Sequence, residues 1–183
     1  MPRIQPVNPL EAAGKAKQLL EGVQAQMGMT PNLMRTMAHS PAMLKAYLAF
    51  AGNLSDGLLD PRFREQIAVA VAQANSCQYC LSAHVALGKM AGLTAEEIEN
   101  SRASRSVDPK RNAGLQFAQK LVVQRGHASN LDMESVRQAG YSDGEIVELI
   151  AHVALNTLTN YFNHVAETEV DFPVVPVTLA PAA

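Results

Sequence analysis

At 183 residues and 19.7 kDa, the chain is long enough to bury a substantial core within one domain. A net charge of -2 and a pI near 6.2 give no sign of a nucleic-acid surface or an anionic membrane partner, and no apolar run reaches the roughly 18 residues that span a bilayer. Charged residues make up only 17% of the chain and hydrophobic residues 48%, against about 25% charged in an average domain. Interfaces are depleted in charge, so a homo-oligomer is expected.

The N-terminal stretch MPRIQPVNPLEAAGK has no apolar h-region and does not read as a signal peptide. A cytoplasmic protein is expected, in a compartment where thiols stay reduced and paired cysteines serve catalysis or metal binding more often than cross-linking. Residues 1–8 are proline-rich and read as an extended arm. Asn8-Pro9, Thr30-Pro31, Ser40-Pro41, Asp60-Pro61 and Asp108-Pro109 each put a capping side chain before a proline, which predicts a helix start at each. Thr94 with Glu97 and Ser142 with Glu145 predict two further starts as capping boxes. Between them run Ala-, Leu- and Met-rich segments of helical period, such as LEAAGKAKQLLEGVQAQM. No alternating strand pattern precedes the tail. The expectation is an all-α, single-domain bundle over 1–183 with seven or eight helices. Its tail, 172–183, opens on FPVVPV and is apolar enough to dock in a groove of a neighbouring subunit rather than fray.

Both cysteines and one of the five histidines fall within NSCQYCLSAH, residues 75 to 84. A helix predicted over 61–74 precedes them, and Asn75-Ser76 supply cap residues for a second helix over 77–90. Were the two one continuous helix, Glu65 and Cys77 would stand about 18 Å apart along the axis. A hairpin folded at Asn75-Ser76 instead sets Glu65 level with His84, while Cys80 lies one turn from His84 on the same face. The seam then reads Glu65, His84, Cys80, Cys77: a carboxylate orienting an imidazole, a thiol beside that imidazole, and a second thiol within disulfide reach. Thiolate is the nucleophile. His84 at i+4 favours it at Cys80, and the helix N-terminus favours it at Cys77, so spacing leaves open which cysteine reacts first. A partner three residues away can condense at once with a sulfenic acid.

Glu65, eleven residues, Cys77-x-x-Cys80, three residues and His84 together resemble the active-site pattern of the alkylhydroperoxidase D-like proteins, within the carboxymuconolactone decarboxylase-like superfamily. The later NTLTNYFNHVAETEVDFP is similar to a C-terminal segment of the peroxidase-related branch. The resemblance implies an all-helical fold and a cofactor-free thiol peroxidase acting on a hydroperoxide. It implies a lipoyl- or thioredoxin-type dithiol reductant and a homo-oligomer, trimer or hexamer. It also implies Cys80 as the attacking thiol, Cys77 as the resolving thiol, and Glu65 and His84 as the proton relay. One departure stands out: Tyr79 lies between the cysteines where the best-known members carry histidine, and tyrosine is a far weaker base near neutrality.

Other readings remain. A zinc site would need a ligand beyond Cys77, Cys80 and His84, and His39, His127, His152 and His164 form no second pair of finger-like spacing. His152 and His164 read as hydrogen-bonded structural residues, and Asn156, Asn160 and Asn163 as ties between helices. Lys15, Lys17, Arg102, Arg105, Lys110 and Arg111 read as helix-surface charges. An oligomeric redox-responsive scaffold of the same fold is the main alternative to a peroxidase. Decarboxylation of a lactone acid is a weaker one, since that chemistry does not call for paired cysteines.

Overall fold

The computed structural model describes residues 1–178; residues 179–183 of the expected tail lie outside that range. Nine helices run through the described residues: α1 (Gly14–Met27), α2 (Asn32–Met37), α3 (Pro41–Ser55), α4 (Pro61–Ala74), α5 (Gln78–Met90), α6 (Ala95–Arg102), α7 (Pro109–Val123), α8 (Asn130–Gln138) and α9 (Asp143–Ala166). The fold is all-α, as expected. None of these helices is long and apolar enough to cross a membrane.

Capping chemistry places most of the boundaries. Ser40, Asp60 and Asp108 each accept a backbone N–H three residues on, with proline in the first turn. The boxes at Thr94–Glu97 and Ser142–Glu145 close in both directions. Two expected starts differ. Asn8-Pro9 opens no helix, because Asn8 Oδ1 takes the Leu10 N–H in a local turn and α1 begins only at Gly14. At Thr30-Pro31, Pro31 itself stands at the cap of α2, and the Thr30 hydroxyl donates to Gln24 instead. The ninth helix, α8, starts from a box between Ser129 and Asp132, whose Asp replaces the Glu or Gln of the usual signature.

Helix α4 runs between two cores. Phe63, Ile67, Ala70 and Val71 pack with α7, α8 and α9, while Val69 and Ala72 pack with α1, α2, α5 and the start of α3. From Ile67 to Ala72 every side chain is buried. Small residues let the neighbours come close: a Cβ on Gly114 of α7 would collide with the Tyr141 hydroxyl and the Phe63 ring.

Both ends of the described residues lie on the chain's own surface. In the N-terminal arm, Arg3 and Ile4 N–H groups donate to Ala166 O, and Val7 exchanges hydrogen bonds with Arg35. The C-terminal segment up to Thr178 also bonds to its own chain. Ser82 Oγ accepts the Val175 N–H at 2.9 Å, Asp171 accepts the Asn32 N–H at 2.7 Å, and Gln73 donates to Val177 O. Arg102 departs from its expected surface role. It is 8% exposed and donates to Pro176 O, Gln73 and Glu99, so its charge fastens the tail.

Helix α9 reverses the usual polarity of a surface helix. From His152 on, its buried face carries His152, Asn156, Thr159, Asn160 and Asn163, with Val153 and Ala166. Its exposed face carries Val147, Ile150, Leu158, Tyr161 and Val165, a stripe about 27 Å long at 1.5 Å per residue.

Arg102→Leu keeps bulk but removes three hydrogen bonds from a buried site. It should lower stability to urea by about 1–3 kcal/mol and speed protease cleavage within residues 172–178. Unchanged cleavage there would show that the tail is held without Arg102.

Candidate active site

The turn between α4 and α5 sets up the site. Asn75 ends α4 rather than starting α5, Ser76 adopts a left-handed φ of 54°, and Cys77 itself caps α5 by accepting the Cys80 N–H at 3.4 Å. Three residues of α9 grip this turn. Asn160 Oδ1 accepts from Asn75 Nδ2 at 2.9 Å, His164 Nε2 meets Asn75 O at 2.9 Å, and Asn163 Nδ2 donates to Cys80 Sγ at 3.1 Å. Asn160 and Asn163 thus tie helices together as expected, whereas Asn156 bonds only to His152 O within α9.

Folding back of α5 along α4 brings Glu65 Oε2 to 2.9 Å from His84 Nδ1, with both side chains roughly a fifth exposed. Gly88, one turn beyond His84, leaves room for Leu93: a Cβ there would lie 3.0 Å from the Leu93 side chain, and at an ordinary 3.8 Å from the Cβ of Glu65. Burial disfavours a charged His84, but the adjacent Glu65 carboxylate outweighs it, and the imidazole is held protonated above its ordinary range.

The two thiols are buried, reduced and 2.8 Å apart, Cys77 donating to Cys80 Sγ. Their acidities separate. Cys77 is pushed well up because its proton is held by Cys80 and its sulfur is buried. Burial pushes Cys80 up as well, but the Cys77 hydrogen bond, the His84 charge and the Asn163 amide bring it down to about 6. Of the two sulfurs, Cys80 is the one whose surroundings favour the thiolate.

A chamber of about 80 Å³ opens on Cys80 and His84, walled mainly by Met27, Leu33, Met34, Tyr47, Tyr79 and Phe172. A second cavity of about 240 Å³, lined by Arg64, Glu65, His152, Asn156 and Thr159, shares Tyr47 and His84 with it. Tyr79 does no proton work here. Its buried hydroxyl accepts the Leu33 N–H at 3.1 Å, its ring meets Phe172 edge-on at 5.9 Å, and burial keeps the phenol protonated. The position between the cysteines thus anchors α2 and the tail as a chamber wall.

The four residues expected from spacing converge as a group: Glu65 on His84, and Cys80 between Cys77 and Asn163. Sequence reasoning did not place Asn163 on the sulfur or Asn160 on the turn, nor Tyr47 in the chamber. The asparagines left a legible trace, since Asn156, Asn160 and Asn163 form a polar stripe inside an otherwise apolar helix, where asparagine is disfavoured. Tyr47, thirty residues from the nearer cysteine on α3, left none.

Residues 41–120 match the carboxymuconolactone decarboxylase family. The fold is similar to the alkylhydroperoxidase AhpD core of a peroxidase-related protein from Ralstonia eutropha JMP134, with 27% identity, 93% of this chain and 92% of the other covered, and a TM-score of 0.81. A peroxidase-related protein from Silicibacter sp. TM1040 shares the fold at 24% identity, 91% coverage of each chain and a TM-score of 0.78. The debrominase Bmp8 shares it at 17% identity, with 92% and 91% covered and a TM-score of 0.79. "Uncharacterized protein 4 in cox locus" of Paracoccus denitrificans is 43% identical over 44 residues, which span 24% of this chain and 40% of that protein. The family match over residues 41–120 and the likeness to the AhpD core together support a place in the alkylhydroperoxidase D-like, carboxymuconolactone decarboxylase-like superfamily.

Proposed function

We propose that this chain is a thiol-dependent peroxidase that reduces organic hydroperoxides through Cys80 and Cys77. The observation that carries the reading is the buried Cys80 sulfur. It is acidified to about 6 and faces an apolar chamber, with a protonatable His84–Glu65 pair beside it and a second thiol 2.8 Å away. The peroxidase-related relatives support it.

The Cys80 thiolate attacks the distal oxygen of the hydroperoxide, the O–O bond breaks, and the alkoxide leaves to become an alcohol with one proton. Cys80 is then a sulfenic acid. The Cys77 thiol displaces hydroxide from it, water departs with the Cys77 proton, and a disulfide remains. An external dithiol, lipoyl- or thioredoxin-type, then takes two electrons' worth of oxidation as its own disulfide and restores both thiols. Because both sulfurs are buried, a slender lipoyl-type arm suits this step better than a thiol on a broad protein surface. The chamber is about half the size of a cavity that holds benzene, so it takes the peroxide group and a short apolar segment. Apolar walls favour alkyl hydroperoxides over hydrogen peroxide.

We propose further that the chain assembles with copies of itself through the exposed apolar face of α9, where Ile150, Leu158 and Tyr161 border a groove shared with α7. Light scattering at micromolar concentration should give a multiple of 19.7 kDa, and Tyr161→Asp should reduce it. The mass of a single chain would refute the assembly.

One equivalent of alkyl hydroperoxide should remove two thiols per chain, recoverable with a dithiol. No loss would favour the redox-inert scaffold or the decarboxylase instead. Cys77→Ser should still form a trappable sulfenic acid at residue 80 but not turn over, and Cys80→Ser should do neither. A sulfenic acid on Cys77 in the latter would reverse the two roles. His84→Ala should slow the first oxidation by about 10²-fold.

The rate of first oxidation should also depend on pH. Because Cys80 is depressed to about 6, thiolate persists above that value and is lost as pH falls through it. The rate should therefore be level above about pH 7 and decline about tenfold per unit below about pH 6. A midpoint near the ordinary thiol value would remove the proposed activation.

A further inference from the structure

Peroxide cleavage needs a group that the thiol and its activators do not supply unaided: a donor for the oxygen that leaves. We infer that Tyr47 fills this role, its hydroxyl donating to the proximal oxygen of the hydroperoxide as the O–O bond breaks. This rests on the peroxidase reading above and deepens it.

Position is the first ground. Tyr47, on α3, lines the chamber with Cys80 and His84, and it equally lines the polar cavity with Arg64, Glu65, His152 and Asn156. A substrate whose distal oxygen meets Cys80 Sγ sits in a space that Tyr47 helps to enclose. Availability is the second. Among the described residues the Tyr47 hydroxyl takes no hydrogen bond, whereas the other chamber tyrosine, Tyr79, already accepts the Leu33 N–H. Protonation is the third. Burial, and then the negative charges of Cys80 and Glu65, hold the phenol up to about 12. It therefore keeps its proton throughout the pH range in which Cys80 is a thiolate.

The step balances. Cys80 thiolate and ROOH give Cys80 sulfenic acid and RO⁻, and the Tyr47 proton passes to RO⁻ to give the alcohol. An alkoxide is far more basic than a phenolate, so this transfer runs downhill. Tyrosinate then recovers a proton from water in the polar cavity. His84 is the other acid beside the chamber, but its charge also holds Cys80 as a thiolate, so its loss slows every reaction of that sulfur. Loss of the Tyr47 hydroxyl slows only those whose leaving group needs a proton.

Tyr47→Phe in the full chain keeps the ring and removes the donor. The rate of first thiol oxidation is measured with tert-butyl hydroperoxide, which expels an alkoxide, and with peracetic acid, which expels a stable carboxylate. An aromatic disulfide titrant reports the thiolate itself. The ratio of the peracid rate to the alkyl hydroperoxide rate should rise by about 30-fold or more, on the scale of losing one donor to a developing oxyanion. A ratio unchanged within about 3-fold, with both rates falling alike or neither, would overturn the role of Tyr47. A variant that misfolds would depress the titrant rate together with both peroxide rates, which also counts against it. If neither peroxide oxidises Cys80 in the unaltered chain while the titrant does, the peroxidase reading fails first.

Discussion

A thiolate buried to within 2% of full enclosure is costly unless charge and hydrogen-bond donors surround it. Around Cys80 they come from separate parts of the chain: the His84 charge from one turn along α5, the carboxylate behind it from α4, the Asn163 amide from α9 and the thiol proton from Cys77. None of these holds the anion alone. Glu65 keeps His84 charged, and His84 with that amide offsets the burial that would otherwise return the proton to sulfur. The donor set therefore requires α4, α5 and α9 to meet within one hydrogen-bond length of each other.

That meeting depends on α4. Its run from Ile67 to Ala72 is of small and branched apolar residues, buried against a core on either side. The same helix presents Glu65 at one end and the Asn75 turn at the other. Helix α5 must return along it because Ser76 takes the left-handed conformation and Cys77 restarts the helix. That return brings His84 onto Glu65.

The reversed polarity of α9 follows from the same requirement. A helix that supplies amides to a buried sulfur and to a turn must face inward with Asn156, Asn160 and Asn163. Its apolar residues, Ile150, Leu158 and Tyr161 among them, are left outside as an exposed apolar face. The tail closes the opposite wall. Phe172 packs edge-on against Tyr79, so the tyrosine between the cysteines shapes the wall of the chamber.

The sequence by itself determined what is local. Ser40, Asp60, Asp108, Thr94 and Ser142 start their helices through bonds to residues within three or four positions, so the all-α class and most boundaries were legible. The hairpin and the pairing of Glu65 with His84 were legible too, because a two-helix hairpin has its register fixed by where the turn falls. The start at Asn8-Pro9 misled, since a capping residue also satisfies itself in an isolated turn. Only the tertiary structure decided what joins distant segments: that the tail folds onto its own chain through Arg102 and Ser82, that Asn163 addresses a sulfur some eighty residues away, and that Tyr47 enters the chamber. Those contacts are set by how α3, α5 and α9 pack around α4. Side-chain identity and spacing along one helix carry no trace of which neighbour will face it.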